Sequence, residues 1–132
     1  MDKHQLRLEI DQDSNMGYIH LTPYTGNPTS ERFLSEDTKR IEGTPLAVDR
    51  NNENRIVGIE IYNVDRVLQI GHYKSGDLEL RVDHEQGTAK ITFNNVLERE
   101  IGDYPVLVGF NEDSISHIII KDIQNNLLRY FS

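Results

Sequence analysis

Cysteine and tryptophan are missing from the 132 residues. Without cysteine there is no disulfide framework, no zinc–thiolate site and no thiol nucleophile. Basic residues are scarce: 14 Lys and Arg stand against 22 Asp and Glu, a formal charge of −8. Nucleic-acid affinity comes from clustered cations that displace counterions from phosphates, so no nucleic-acid partner is expected. An acidic chain suits a basic partner, or simply solubility. Long apolar runs are also lacking. None exceeds three residues, as at Ile118-Ile119-Ile120, against the roughly 20 needed to span a bilayer, so no membrane partner is expected. The opening Met1-Asp2-Lys3-His4-Gln5-Leu6-Arg7 has no apolar signal-peptide region, which points to the cytoplasm. Nor is there a Gly-x-Ser-x-Gly elbow, a phosphate loop or a Gly-x-Gly-x-x-Gly fingerprint.

What the chain does contain is a repeat of itself. Leu6-Arg7-Leu8-Glu9-Ile10-Asp11 matches Leu78-Glu79-Leu80-Arg81-Val82-Asp83 at an offset of 72, and Ile19 and Leu21 then fall on Ile91 and Phe93. At an offset of 60, Ile41, Pro45, Leu46 and Val48 fall on Ile101, Pro105, Val106 and Val108. At 59, Ile56, Ile59, Ile61 and Val64 fall on Ile115, Ile118, Ile120 and Ile123. The drop from 72 to 60 leaves twelve extra residues in the first copy, between Leu21 and about Thr38. The halves are accordingly read as 1–74 and 75–132, sharing one core, because a unit of about 60 residues is marginal alone.

Within each copy the apolar residues alternate, as half-buried strands do. Leu6, Leu8 and Ile10 lead through the polar turn Asp11–Asn15 to Ile19 and Leu21, and Leu78, Leu80 and Val82 lead through His84–Gly87 to Ala89, Ile91 and Phe93. A third strand is expected around Leu46 and Val48, and a fourth over Ile56–Ile61 after the turn Asn51–Asn54. The fold expected is all-β: two tandem four-stranded antiparallel meanders packed with pseudo-two-fold symmetry, with short helical turns at 64–70 and 123–130. Residues 71–76 read as the connector between copies. The insertion can be drawn as a helix from Ser30 with Phe33, Leu34 and Ile41 on one stripe, or as an irregular loop.

The stretch Pro45-Leu-Ala-Val-Asp49 followed by a polar turn and Val57-Gly58-Ile59-Glu60-Ile61, together with Tyr18-Ile19-His20-Leu21, resembles a small bacterial family, the domain of unknown function numbered 2283. The resemblance covers roughly residues 5 to 68. It implies a small β-rich domain with no established activity, and some relatives are encoded beside small ribonuclease-like toxins. The second copy keeps the apolar frame but has Gly109 in place of Asp49, His117 in place of Gly58 and Ile119 in place of Glu60. Any polar site in the first copy is therefore expected to be lost from the second.

Two acidic turns invite a metal reading. Asp49, Asn51, Glu53 and Glu60 have the spacing of a calcium loop, positions 1, 3, 5 and 12. Position 6 is Asn54 rather than Gly, and both flanks read as strands, whose alternation carries Glu60 away from the turn. Asp11-x-Asp13-x-Asn15 lacks the closing Glu. Both read as side-chain-stabilised turns, and neither a metal nor a cofactor is expected. The histidines show no i,i+2 or i,i+4 pair; His20 and His117 fall in strands, as solvent-face or satisfied core residues. Tyr18 and Tyr62 suit cross-strand packing.

The insertion is the divergent surface, and loops carry function more often than scaffolds do. Tyr24, Glu31, Phe33, Glu36 and Asp37 are its candidate partner-binding residues, set against a tolerated surface insertion. The function expected is a non-enzymatic acidic binding protein for a protein partner, an immunity or antitoxin protein against a basic toxin being one instance. The alternatives are a self-associating scaffold joined through strand edges and, behind it, a small hydrolase or calcium binder. The acidic excess is spread over both copies. A monomer with a pseudo-dimeric core and a homo-oligomer both fit.

Overall fold

The computed structural model describes residues 2–23, 37–68, 75–102 and 104–131. Its elements are β1 (Asp2–Asp11), β2 (Met16–His20), β3 (Asp37–Arg40), β4 (Leu46–Arg50), β5 (Ile56–Tyr62), α1 (Val64–Val67), β6 (Gly76–Asp83), β7 (Thr88–Thr92), β8 (Arg99–Gly102), β9 (Val106–Asn111), β10 (Ser114–Lys121) and α2 (Ile123–Asn126). The fold is all-β. Ten antiparallel strands form one curled sheet in the order β3-β4-β5-β2-β1-β6-β7-β10-β9-β8.

Alternation decides which side chains face inward. Leu8 pairs Ile19, Ile19 pairs Ile59, and Ile59 pairs Val48, so one row of apolar side chains crosses four strands. All four are buried, as are Val108, Ile118 and Ile91 in the other half. One hydrophobic cluster draws on both halves and also holds Val64, Val67, Ile123, Leu127 and Phe131. Burying each large aliphatic side chain contributes roughly 1.5–3 kcal/mol.

The halves meet where β1 pairs β6, in a register that sets Leu6 opposite Leu78. These two residues are each other's counterparts at the offset of 72. Hydrogen bonds recur at the repeat offsets too. Val64 N donates to Asn15 O and Ile123 N to Gly87 O, while Tyr62 N donates to Pro45 O and Lys121 N to Pro105 O. Asp11 Oδ1 accepts from the amides of Asp13 and Ser14, and Asp83 Oδ1 from those of Glu85 and Gln86. Both acidic turns are thus closed by their own first carboxylate, as the first was read.

Several expectations need correction. Among the described residues each half has five strands rather than four, and not as a simple meander: β2 pairs β5, so a hairpin and a three-stranded unit lie side by side. The unforeseen strands are β3, Asp-Thr-Lys-Arg, and β8, Arg-Glu-Ile-Gly. They occupy the ends of the sheet, where among the described residues one flank pairs no further strand and charge replaces alternation. The helical turns are only four residues each, Val64–Val67 and Ile123–Asn126. Each follows a residue of positive φ, Asn63 or Asp122, and ends where Leu68 or Leu127 turns extended into the core. A helix that short stands on its buried face, not on propagation. A helix reaching Ile41 is excluded at its C-terminal end, since 37–40 is strand and Ile41 N donates to Leu46 O. Gly76 opens β6 instead of closing the connector.

The sheet curls far enough for its ends to face each other. A cavity of about 570 Å³ is lined by Lys39, Ile41 and Arg50 on one side and by Gly102, Tyr104 and Val106 on the other. Arg55, in the β4–β5 connection, donates to the carbonyls of Gln124 and Leu127, so the first half also clasps α2.

Candidate binding site on the outer face

The parity that turns Leu8, Ile19, Ile59 and Val48 inward turns their neighbours outward. One outer row runs His20, Gly58, Asp49, Thr38 across β2, β5, β4 and β3; the next runs Glu9, Tyr18, Glu60, Ala47 across β1, β2, β5 and β4. Asp49 and Glu60 are diagonal neighbours in these rows, near enough for their carboxyl groups to hydrogen-bond through a shared proton. Alternation does carry Glu60 away from the turn at 51–54, and delivers it to Asp49. The turn keeps its own oxygens: Asn51 Oδ1 accepts from the amides of Glu53 and Arg55, and Asn54 takes a φ of 63°. The calcium spacing therefore brings together only its first and last members. Among the described residues no group of three or more His, Asp or Glu could hold a metal ion.

Asp49 is 4% exposed and accepts a 2.6 Å hydrogen bond from Thr38 Oγ1. Burial is the main force pushing Glu60 up to about 7, and the hydrogen bond and charge of Asp49 push the same way. Tyr62 Oη donates to Glu60 Oε1 at 3.3 Å and opposes part of that shift. The phenol of Tyr62 is itself raised, first by burial and then by the Glu60 charge, while the Arg40 guanidinium lies 5.2 Å over its ring. Two carboxylates drawn from water beside each other cannot both ionise cheaply, so the pair holds a proton near neutrality.

Tyr18 covers Gly58. A Cβ on that glycine would collide with the Tyr18 hydroxyl, so the missing side chain makes room for the ring. The ring also packs edge-on to His20 at 4.8 Å, and His20 Nε2 pairs with Glu9 Oε1 at 2.7 Å. Beside this lies a cavity of about 620 Å³, with Ile10, Met16 and Tyr18 as its apolar side and Glu9, Asp11, Asp49 and Glu60 as its acidic side. No basic residue lines it among the described residues.

The second half shows what the same rows become without the carboxylates. Thr92, His117, Gly109 and Glu100 stand in the places of His20, Gly58, Asp49 and Thr38. Glycine and bulk have exchanged strands: the His117 ring lies over Gly109, with Nε2 2.6 Å and Leu97 Cδ1 2.7 Å from where a Cβ would stand. The 94–98 segment runs over this face, held by a hydrogen bond from Ser116 Oγ to Val96 O and by Glu98 N donating to Phe110 O. His117 is 6% exposed, its Nε2 makes no hydrogen bond among the described residues, and Glu100 lies 3.9 Å away. Of the two settings expected for it, solvent face or core, the structure gives the buried one, with the Glu100 carboxylate beside it. Burial chiefly, and then the charge of Lys90, lower its pKa against the pull of Glu100.

Of the partner-binding residues nominated from the insertion, Tyr24, Glu31, Phe33 and Glu36 lie outside the described residues. Asp37 is the exposed first residue of β3, paired with Arg50 and lining the cavity between the sheet ends rather than the outer-face one. Tyr18, Asp49 and Glu60 were all visible as the positions carrying the family resemblance. The signal missed was parity: a Gly and a Glu on the same face of an otherwise apolar strand. The chain matches no protein-family model, and neither a curated protein nor a solved structure is similar to it.

Proposed function

We propose that this is a non-enzymatic acidic binding protein that recognises a basic protein partner, an immunity or antitoxin protein against a basic toxin being one instance, acting in the cytoplasm. The observation that carries the reading is the outer-face cavity, with four carboxylates and no cation among its described lining residues, on a chain of net charge −8. Charge of one sign gathered in a concave surface raises the encounter rate with an oppositely charged partner. A glycosidase-type role fits less well, because carboxyl groups that share a proton are closer than the roughly 5 Å or more at which glycosidase carboxylate pairs work. The scaffold reading is weakened by the sheet ends, since β3 and β8 are four residues long and charged, features that block edge-to-edge addition. We also read the two halves as a duplicated unit related by a pseudo-two-fold axis. The support is a strand order that reads alike from either end and the pairing of Leu6 with its own counterpart Leu78.

Affinity capture from the native host at low salt tests the functional reading. A stoichiometric partner of high isoelectric point, released as salt rises, is the expected result. Recovery of no stoichiometric partner, or of one whose binding ignores salt, refutes it.

A further inference from the structure

We propose that the outer face of the second half carries a docking shelf for an acidic and apolar segment of a partner protein, running from Leu107 and Ile119 across Lys90 and Arg81 to Lys3. It lies apart from the cavity beside Tyr18 and stands independently of the basic-partner reading.

The register builds the shelf. Leu107 pairs Ile119, Ile119 pairs Lys90, Lys90 pairs Arg81 and Arg81 pairs Lys3, so one row crosses five strands from β9 to β1. Val108, Ile118, Ile91 and Val82, of the opposite parity, are buried, and the row faces out. Three of the chain's 14 cations thus stand side by side. Like charges directly opposite one another weaken a ladder, so this placement costs stability where an acid in the middle position would add it. One acid is in reach: Glu79 Oε1 accepts from Arg81 Nε at 2.8 Å and lies 3.9 Å from Lys3 Nζ. Lys90 makes no ion pair among the described residues.

The row is open to solvent. The side chains of Lys3 and Arg81 are 61% and 54% exposed, and Lys90 is exposed as well. At the other end Ile119 and Leu107 are half-buried. Beside them the 94–98 segment raises Val96 and Leu97, 54% and 45% exposed, above the sheet. Leu97 stands over Gly109, one row along from Leu107 and Ile119. The surface therefore has an apolar floor and wall at one end and cations at the other.

Its complement is an extended segment with leucine-type side chains at one end and carboxylates at the other. With about 4.8 Å between strands the row spans about 19 Å, the reach of about six extended residues. The net charge of −8 does not forbid such a partner, because exposed charges more than about 8 Å away are largely screened at physiological salt.

The test is a titration of the full chain, followed by amide NMR, with the capped peptide Leu-Ser-Leu-Ser-Glu-Ser-Glu at millimolar concentration. Alternation puts its leucines and glutamates on one side. Shifts are expected at Arg81, Lys90, Leu97, Leu107 and Ile119, and none at Tyr18 or Gly58. Replacing both glutamates of the peptide by lysine, or both leucines by serine, should weaken binding at least about fivefold. Arg81→Gln and Lys90→Gln should each weaken it about threefold, the scale of one exposed charge pair. Glu79→Gln should tighten it by about the same factor, since it frees Arg81 and Lys3. Equal binding of the glutamate and lysine peptides, unchanged binding by the Arg81→Gln/Lys90→Gln double variant, or no shift along this row overturns the proposal. Binding of phosphatidylserine vesicles by a chain that the peptide does not shift also overturns it, and assigns the row to a membrane surface.

Discussion

Glu60→Gln should make the protein more stable above neutral pH and change it little under mildly acidic conditions. The reasoning starts from the raised carboxyl, moved from 4.5 to about 7 by burial and by Asp49. A carboxyl that binds its proton more tightly folded than unfolded stabilises the fold fully below its unfolded value. That contribution is lost as pH climbs from about 4.5 through about 7. The displacement corresponds to roughly 3 kcal/mol if taken whole. Since Glu60 is only partly buried and its cavity opens to water, screening leaves about half, ~1.5 kcal/mol. Glutamine keeps a donor for Asp49 at every pH and carries no charge to desolvate. Urea unfolding at a series of values from about pH 5 to about pH 8.5 should show the wild-type midpoint falling, the variant midpoint level, and equal slopes in denaturant. Asp49→Asn should act in the same direction, and the double variant should gain less than the sum because one proton serves both groups. Parallel curves for wild type and Glu60→Gln across that range would refute the desolvated pair.

The lowered His117 works in the opposite direction: its folded pKa lies below its unfolded value, so stability is complete above about 6.5 and declines as pH falls. Its ring resonances should titrate below those of a model imidazole, and His117→Phe should flatten the acid limb of the stability profile. Gly58→Ala should cost about 1–3 kcal/mol by evicting the Tyr18 ring, with a change in tyrosine near-ultraviolet dichroism. Adding Tyr18→Ala should recover part of that loss in a double-mutant cycle. Leu6→Ala, at the fully buried centre of the β1–β6 ladder, should cost about 2–5 kcal/mol and lower the thermal midpoint.

The sequence made the alternating strands legible because their inward faces are nearly uniform Leu, Ile and Val, a pattern only a half-buried strand satisfies. Its repeat offsets also anticipated which hydrogen bonds would recur, down to Asn15 with Val64 and Gly87 with Ile123. β3 and β8 escaped because four charged or mixed residues at a sheet end have no periodicity to read; only the neighbours β4 and β9 make them strands. The site escaped for a geometric reason. Asp49 and Glu60 are eleven positions apart in sequence, and no linear motif announces that a bulge between Asp49 and Arg50 leaves them diagonal on one face. Tyr18 was read as cross-strand packing, which it is, but packing across a glycine in another strand is a property of register that composition does not carry.

The β1–β6 ladder that joins the halves has a kinetic consequence. Every other ladder among the described residues links strands within one half, whereas this one pairs Asp2 with Val82 and Leu8 with Gly76, closing a loop of more than half of the chain. Closing so long a loop is entropically costly, and contacts of high sequence separation slow folding. Until that closure β1 and β6 are two free edges that await each other. At high concentration the β6 edge of one chain meets the β1 edge of another in the same register. The step that completes the monomer is therefore also the step at which two chains can exchange halves, and dilution is what favours closure within one chain.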